Sequence, residues 1–196
     1  MRRIWTVSGA GIALFVTACS SEPVSNRAER DRGTNTSAPA NDHAANDAVP
    51  AAKVALAPDG LLLGGTQALE FGATTDSVIG AVGGALGAEA KRNENSECAA
   101  GPLALAQYPG GLTLFFQDSK FVGWDVDGRE KGRFPAPDGL AIGTTRAELQ
   151  ARGDLQMQAS TVGAEFSFGG ISGLLASKDQ NARVTNLWAG TTCIFR

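Results

Sequence analysis

The chain has 196 residues, with 25 glycines, 3 cysteines and 1 histidine, and its formal net charge is -3. This mildly acidic balance argues against nucleic acid as the partner, because binding to a phosphate backbone needs clustered Lys and Arg. A single histidine excludes most His-based catalysis and most zinc sites, and we expect neither a metal ion nor another cofactor.

The N-terminus has the pattern of an export signal. Arg2 and Arg3 precede an uncharged run of 15 residues at positions 4–18. A helix needs about 20 apolar residues to span a bilayer, so this run has the length of a signal-peptide core instead. We therefore predict that residues 1–18 are a signal peptide.

The uncharged run ends in Val16-Thr17-Ala18-Cys19, followed by Ser20. This resembles the lipobox of bacterial lipoproteins, in which an aliphatic residue and two small residues precede a cysteine. The resemblance implies that Cys19 becomes the first residue of the mature protein and carries acyl chains such as palmitate. Several such chains together hold a protein firmly at a membrane. Because no aspartate follows Cys19, it also implies a location at the outer membrane, on the periplasmic face.

Residues 19–58 have the composition of a disordered tether. After Cys19 this stretch contains no aromatic residue and is rich in Ser, Asn, Asp, Ala and Pro. Such a segment cannot bury enough apolar surface to offset the entropy of ordering. His43 lies in this segment, so we expect it to have no catalytic role.

Residues 59–196 are predicted to form one globular domain, with two copies of a repeat at about 60–130 and 138–196. Each copy reads as a short strand, a helix and further strands, including a hairpin at 111–127 that turns at Asp118-Ser119 and a hairpin at 171–188 that turns at Lys178–Asn181. The predicted fold class is α+β: tandem helix-plus-strand repeats form an antiparallel sheet with the helices on one face. Chance similarity between glycine-rich strands is the alternative to a true duplication.

Two local signals concern the helices. Thr145 and Glu148 have the spacing of a capping box, which predicts that the second helix begins there. Gly80, Gly84 and Ala88 are small residues four apart, which indicates close packing of the first helix on the sheet.

The two copies resemble a known type of fold. The residues that carry the resemblance are Gly72, Thr74, Thr75 and Val78 in the first copy, and Gly143, Thr144, Thr145 and Leu149 in the second. With these residues, the two copies resemble the β-lactamase-inhibitor-protein type of fold and the small lipoprotein of the outer-membrane barrel-assembly machinery. The resemblance implies one alternative function, inhibition of a periplasmic or host hydrolase by a protruding loop at residues 128–139.

Cys98 and Cys193 remain once Cys19 is lipidated. An even pair in an oxidising compartment predicts a disulfide. A reactive thiol is the alternative, but the folded part has no histidine to activate it and no Cys-x-x-Cys motif.

No catalytic motif is present in the sequence, so we predict a protein that is not an enzyme. A hydrolase acting on cell-wall material is the alternative, because acid–base catalysis can use paired carboxylates. The candidate carboxylates are Asp125, Asp127, Glu130 and Glu165. Glu165 alternates with Phe166 and Phe168, so we expect its side chain to face outward.

The aromatic residues offer one candidate binding surface. Trp124 and Trp188 are most simply core residues, since Trp is mostly buried in folded proteins. If Trp124 and Trp188 were exposed and lay near Tyr108 and Phe134, the four aromatic residues would form a protein-binding patch. The function predicted from the sequence is therefore non-catalytic binding of an envelope protein, or an envelope scaffold, by a domain attached to the membrane through its N-terminal lipid.

Overall fold

The computed structural model describes residues 52–194, which begin with a three-stranded antiparallel sheet. Its strands are β1 (Val54–Ala57), β2 (Gly60–Leu63) and β3 (Gln67–Glu70). The sheet corrects one predicted boundary, because β1 falls within the predicted tether at residues 19–58. Val54 and Leu56 are 2% and 1% exposed, so contacts with the core hold a strand that local composition does not reveal.

Several predicted features lie outside the described residues. They are the signal peptide at residues 1–18, the lipidated Cys19, and the tether up to residue 51, which includes His43. These features stay predictions.

A larger sheet follows the first α-helix, α1 (Thr75–Leu86). In chain order its strands are β4 (Lys91–Asn95), β5 (Leu103–Tyr108), β6 (Leu112–Gln117) and β7 (Lys120–Asp127), then, after α2 (Arg146–Arg152), β8 (Gln156–Met157), β9 (Ala164–Phe168), β10 (Ile171–Leu175) and β11 (Val184–Gly190). The eight strands are antiparallel and lie in the order β4-β5-β6-β7-β11-β10-β9-β8. Two short 3-10 turns, Gly128–Glu130 and Pro137–Gly139, connect β7 to α2. The described chain is thus α+β and mostly antiparallel sheet, as predicted.

Local sequence signals are confirmed at a turn and at a helix start. Asp118 and Ser119 connect β6 to β7 with φ angles of 49° and 59°. Positive φ at both central residues is the geometry of tight hairpins. At α2, the Thr145 N–H donates to Glu148 Oε2 at 2.7 Å, and the Glu148 N–H donates to Thr145 Oγ1 at 3.2 Å, which is the predicted capping box.

One face of the eight-stranded sheet, here called the core face, belongs to the main hydrophobic core. Leu114, Trp124 and Ala189 are cross-strand neighbours there on β6, β7 and β11. Val78 of α1 and Leu149 of α2 belong to the same cluster and are fully buried. Residues from both helices and both sheets therefore share one core.

The other face, here called the opposite face, carries a smaller cluster built around a disulfide. Cys98 and Cys193 are bonded, with their Cα atoms 4.9 Å apart, which confirms the predicted pairing. Leu103 and Phe115 pack with Cys98 and are 1% and 2% exposed. The bond spans 95 residues of sequence and ties the segment after β11 to the connection between β4 and β5.

The glycines of α1 do not have the predicted role. A Cβ atom added at Gly80 or at Gly84 would meet nothing within 4 Å, so neither glycine permits a close contact with the sheet. The buried side of α1 instead carries Val78, Ile79 and Val82. The regular spacing of small residues marks an exposed side of this helix.

The contrast between open and crowded glycines gives a stability test. Gly84→Ala is expected to raise the free energy of unfolding by about 0.5–1 kcal/mol, because alanine loses less backbone entropy in a helix. Gly123→Ala is expected to lower it by about 1–3 kcal/mol, because overpacking strains the core, and the added Cβ would lie 2.1 Å from the Thr191 carbonyl oxygen. Urea unfolding measures both, and equal effects would contradict this packing.

Candidate functional site

A cleft of about 660 Å³ lies on the opposite face of the eight-stranded sheet. The centre of this cleft is Asp125 of β7, and we call it the Asp125 cleft. The register places Asp125 directly between Thr113 of β6 and Trp188 of β11. Since side chains alternate along a strand, all three point to the same side and away from Trp124. Strand pairing alone therefore assembles the floor of the cleft.

Burial and hydrogen bonding set the charge state of Asp125. The pKa of this carboxyl is raised from its ordinary value of 3.8 to about 7. Burial is the main cause of the increase, a hydrogen bond with Thr113 acts in the opposite direction, and the nearby charge of Asp127 adds to the increase. A carboxyl with this pKa carries a proton part of the time at neutral pH. It can then donate a hydrogen bond or accept one.

Asp127 is the opposite case, although it lies only two positions along the same strand. Its pKa is lowered, first by the side-chain hydrogen bond with Arg129. Arg129 Nε donates to Asp127 Oδ1 at 3.0 Å and to Oδ2 at 2.8 Å. The Arg129 N–H also donates to Oδ1 at 3.0 Å, which fixes Asp127 at the start of the 3-10 turn. Asp127 is therefore ionised and already paired.

The cleft carries more acid than base. Its charged lining residues are Glu89, Lys91, Asp125, Asp127, Arg129 and Glu130. Because Arg129 is bonded to Asp127, Lys91 is the remaining base beside Glu89, Asp125 and Glu130. The electrostatics of this site favour a cationic ligand.

Only part of the predicted carboxylate set meets in the cleft. Asp125, Asp127 and Glu130 line it, and Glu165 does not. Glu165 is 1% exposed, so the prediction of an outward-facing charge is wrong. Alternation along β9 does put Glu165 on the opposite face, next to Leu174 of β10, but this face is covered here and alternation does not give exposure.

The predicted aromatic surface patch does not form. Trp124, Trp188, Tyr108 and Phe134 are 0%, 3%, 3% and 6% exposed. Trp124 Nε1 donates to the Ala57 carbonyl at 2.9 Å, and Tyr108 Oη donates to the Ile79 carbonyl at 3.0 Å. The simpler reading as core residues is confirmed, and the two tryptophans lie on different faces of the sheet.

The segment predicted as a protruding inhibitory loop, residues 128–139, is attached to the core. Phe134 is buried, and the Pro135 carbonyl accepts a hydrogen bond of 2.8 Å from the Leu56 N–H of β1. Within this segment Arg129 and Glu130 are exposed, and both line the Asp125 cleft. Its middle is thus held in place, and two of its exposed side chains line the cleft, whereas Lys131, Arg133 and Asp138 are exposed outside it.

Residues of the cleft that sequence reasoning missed include Thr113, Gln107 and Asn186. Each is a polar residue in a mostly apolar strand, which by itself reads as an ordinary solvent-facing position. Their common signal is position, because each lies on the opposite face in register with a neighbouring strand. That signal needs the strand order, which local patterns do not supply.

Residues 52–194 contain neither a cluster of metal ligands nor a helix that could span a membrane. No group of three or more His, Cys, Asp or Glu side chains there is placed to hold a metal ion. None of the helices in this range has the length and apolar character required to cross a bilayer.

Comparisons with known proteins do not name a family for this chain. No family model matches it, and no curated protein matches it. It is similar to the crystal structure of the uncharacterized protein yfeY from Escherichia coli, with 17% sequence identity and a TM-score of 0.45, over 70% of this chain and 99% of that chain. At that level of similarity, function has to be argued from the residues of this chain.

The raised pKa of Asp125 predicts a pH-dependent stability. The folded state favours the protonated acid, so this contribution is complete below pH 4 and is lost as pH rises through about 7. Asp125→Asn removes this pH-dependent loss of stability, because an asparagine side chain does not ionise. One pKa unit corresponds to about 1.4 kcal/mol. Because solvent weakens the effect of ionisation on a half-buried group, we discount the full shift and expect Asp125→Asn to raise the free energy of unfolding by about 2 kcal/mol at pH 8.

The same variant should change little at pH 4, because Asp125 is then protonated in the folded state and, with its ordinary pKa of 3.8, still about half protonated in the unfolded chain. Asp127→Asn is the matched control, and it should show no gain at pH 8 because Arg129 already lowers the pKa of Asp127. Urea unfolding at both pH values measures the effect. A gain from Asp125→Asn that is equal at pH 4 and pH 8 would show that ionisation is not its cause.

Proposed function

We propose that this chain is a lipid-anchored binding protein of the cell envelope, whose Asp125 cleft takes a basic segment of another envelope protein. The acid excess of the cleft is the observation that carries the proposal: once the Asp127–Arg129 pair is set aside, the charged lining consists of the acids Glu89, Asp125 and Glu130 and the base Lys91. A Lys or Arg side chain entering the cleft would pair with Asp125 and lower its pKa, so binding would release a proton. Trp188 supplies an apolar wall beside that contact.

An envelope location is supported by the sequence and by the disulfide. The motif that ends in Cys19 resembles a lipobox, and the Cys98–Cys193 bond is of a kind that persists outside the reducing cytosol. The lipid at Cys19 would hold the protein at the outer membrane, on its periplasmic side. The tether would let the domain reach partners away from the bilayer.

We further propose that the eight-stranded sheet arose by duplication, with both helices packed on its core face. α1 followed by β4 to β7 corresponds to α2 followed by β8 to β11, and the last strand of each half pairs with the other. An equivalent contact supports the match. Thr74, before α1, bridges to Lys120 at the start of β7, and Thr145, before α2, bridges to Arg183 just before β11.

Hydrolysis of cell-wall glycan is the second candidate, and one observation favours it. Two carboxyls on one strand, Asp125 and Asp127, have pKa values shifted in opposite directions, which is how an acid and a base are set apart in glycosidases. The two candidates differ in what Asp125→Asn does. It would abolish hydrolysis, whereas a binding cleft that keeps Glu89 and Glu130 would still retain its partner.

Lipid attachment is tested at Cys19. Cells that express the full chain and receive labelled palmitate should incorporate the label, and the protein should fractionate with membranes. Cys19→Ser should lose the label and move to the soluble fraction, because lipid is then the missing anchor. Cys98→Ser is the matched control, which should keep the label. Label that remains on Cys19→Ser would contradict the lipoprotein assignment.

Partner binding is tested by a photo-crosslinking amino acid at Gln107, which lines the cleft. In living cells this position should give an adduct with one envelope protein, through a Lys- or Arg-rich segment. The adduct should disappear with Glu89→Lys/Glu130→Lys, because the charge of the cleft is then reversed. A crosslinker at exposed Gln67 on β3 is the control. An adduct that survives charge reversal, or that also forms from Gln67, would refute the cleft as the binding site.

A further inference from the structure

β4 forms one edge of the eight-stranded sheet, and within residues 52–194 it pairs with β5 alone. Four of its five residues are exposed. An edge strand of this length presents a row of backbone N–H and C=O groups that can pair with another chain. The other edge, β8, has only two residues and offers a much shorter template.

We propose that β4 pairs antiparallel with β4 of a second copy of this chain, so that two sheets join across a two-fold axis through Asn93. This proposal does not depend on the Asp125 cleft. A two-fold contact requires a self-complementary surface, in which each residue faces a suitable residue of the other copy. The sequence of β4, Lys-Arg-Asn-Glu-Asn, meets that requirement.

The faces of the sheet restrict the possible registers. Arg92 and Glu94 lie opposite Ala106 and Ala104 of β5, and Ala106 lies opposite Leu114, so both charged residues are on the core face. A two-fold axis perpendicular to the sheet keeps the core faces of the two copies on the same side. Residues that pair directly must then point to the same side, and the axis must pass through one residue of β4.

Charge selects one register among those. With the axis at Arg92, two arginines face each other, and with the axis at Glu94, two glutamates do. With the axis at Asn93, each Arg92 faces Glu94 of the second copy, and the contact occurs twice. Opposite charges directly across two strands stabilise the pair and like charges destabilise it.

The structure leaves room for the second copy beside β4. A groove of about 510 Å³ lies between Arg92 and the glycine side of α1. Gly80 and Gly84 line it, and a Cβ at either would meet nothing within 4 Å. The exposed small residues of α1 therefore border the edge where the second sheet would continue, and Ile79, which also lines the groove, is buried at 9% exposure.

Disulfide trapping at the axis tests the proposal. In the purified full chain treated with a mild oxidant, Asn93→Cys should give a band of twice the mass on a non-reducing gel. Directly paired residues of antiparallel strands have Cα atoms about 4.5–5.5 Å apart, which a disulfide can span. Lys91→Cys is the matched control and should give no such band, because two Lys91 residues would lie about 13 Å apart along the strands.

Charge reversal supplies the second readout. Arg92→Glu in the Asn93→Cys background should abolish the band, because like charges then face each other. Adding Glu94→Arg to the same chain should restore it, since the opposite pairing returns. The proposal is overturned if Asn93→Cys gives no dimer, if Lys91→Cys gives as much, if charge reversal has no effect, or if the trapped species contains a different protein.

Discussion

Pairing of β7 with β11 is the contact on which the rest of the structure depends, because it joins the two halves of the eight-stranded sheet. The register runs from Asn186 opposite Asp127 to Gly190 opposite Gly123. Gly123 lets the segment after β11 pass closely, since a Cβ there would lie 2.1 Å from the Thr191 carbonyl oxygen. The Cys98–Cys193 bond then holds the chain that leaves this pairing. The main core, the disulfide cluster and the cleft all border these two strands.

In the same pairing, neighbouring residues of β7 point to opposite faces of the sheet, one into the core and the next into the Asp125 cleft. Trp124 points into the core and donates to the Ala57 carbonyl, which ties the larger sheet to the three-stranded one. Asp125, the next residue, points the other way and lies half-buried between Thr113 and Trp188. Burial of a carboxyl weakens the folded state at neutral pH, and a cationic ligand would recover that loss. Under the proposed function, a cleft built in this way would exchange stability for affinity and would couple binding to pH.

Sequence patterns predicted features that depend on neighbouring residues. The capping box of Thr145 and Glu148 needs four consecutive positions, and the Asp118-Ser119 turn needs two. The Cys98–Cys193 pairing followed from counting cysteines. The errors came where a local pattern has more than one physical cause. Gly80 and Gly84 suggested close packing but face open space, and the alternation around Glu165 suggested exposure although this side chain is 1% exposed.

The sequence by itself determined the α+β class, the two strand hairpins, the start of α2 and the disulfide, and it supplies the motif at Cys19. Only the tertiary structure decided that Asp125 lies between Thr113 and Trp188, that Trp124 and Trp188 occupy different faces, and that β4 is an edge with Arg92 and Glu94 on one side. The physical reason is the range of the interactions. Caps and turns are set within a few residues, whereas burial, pKa and edge position depend on strand order, which pairs residues as far apart in the chain as Gly123 and Gly190.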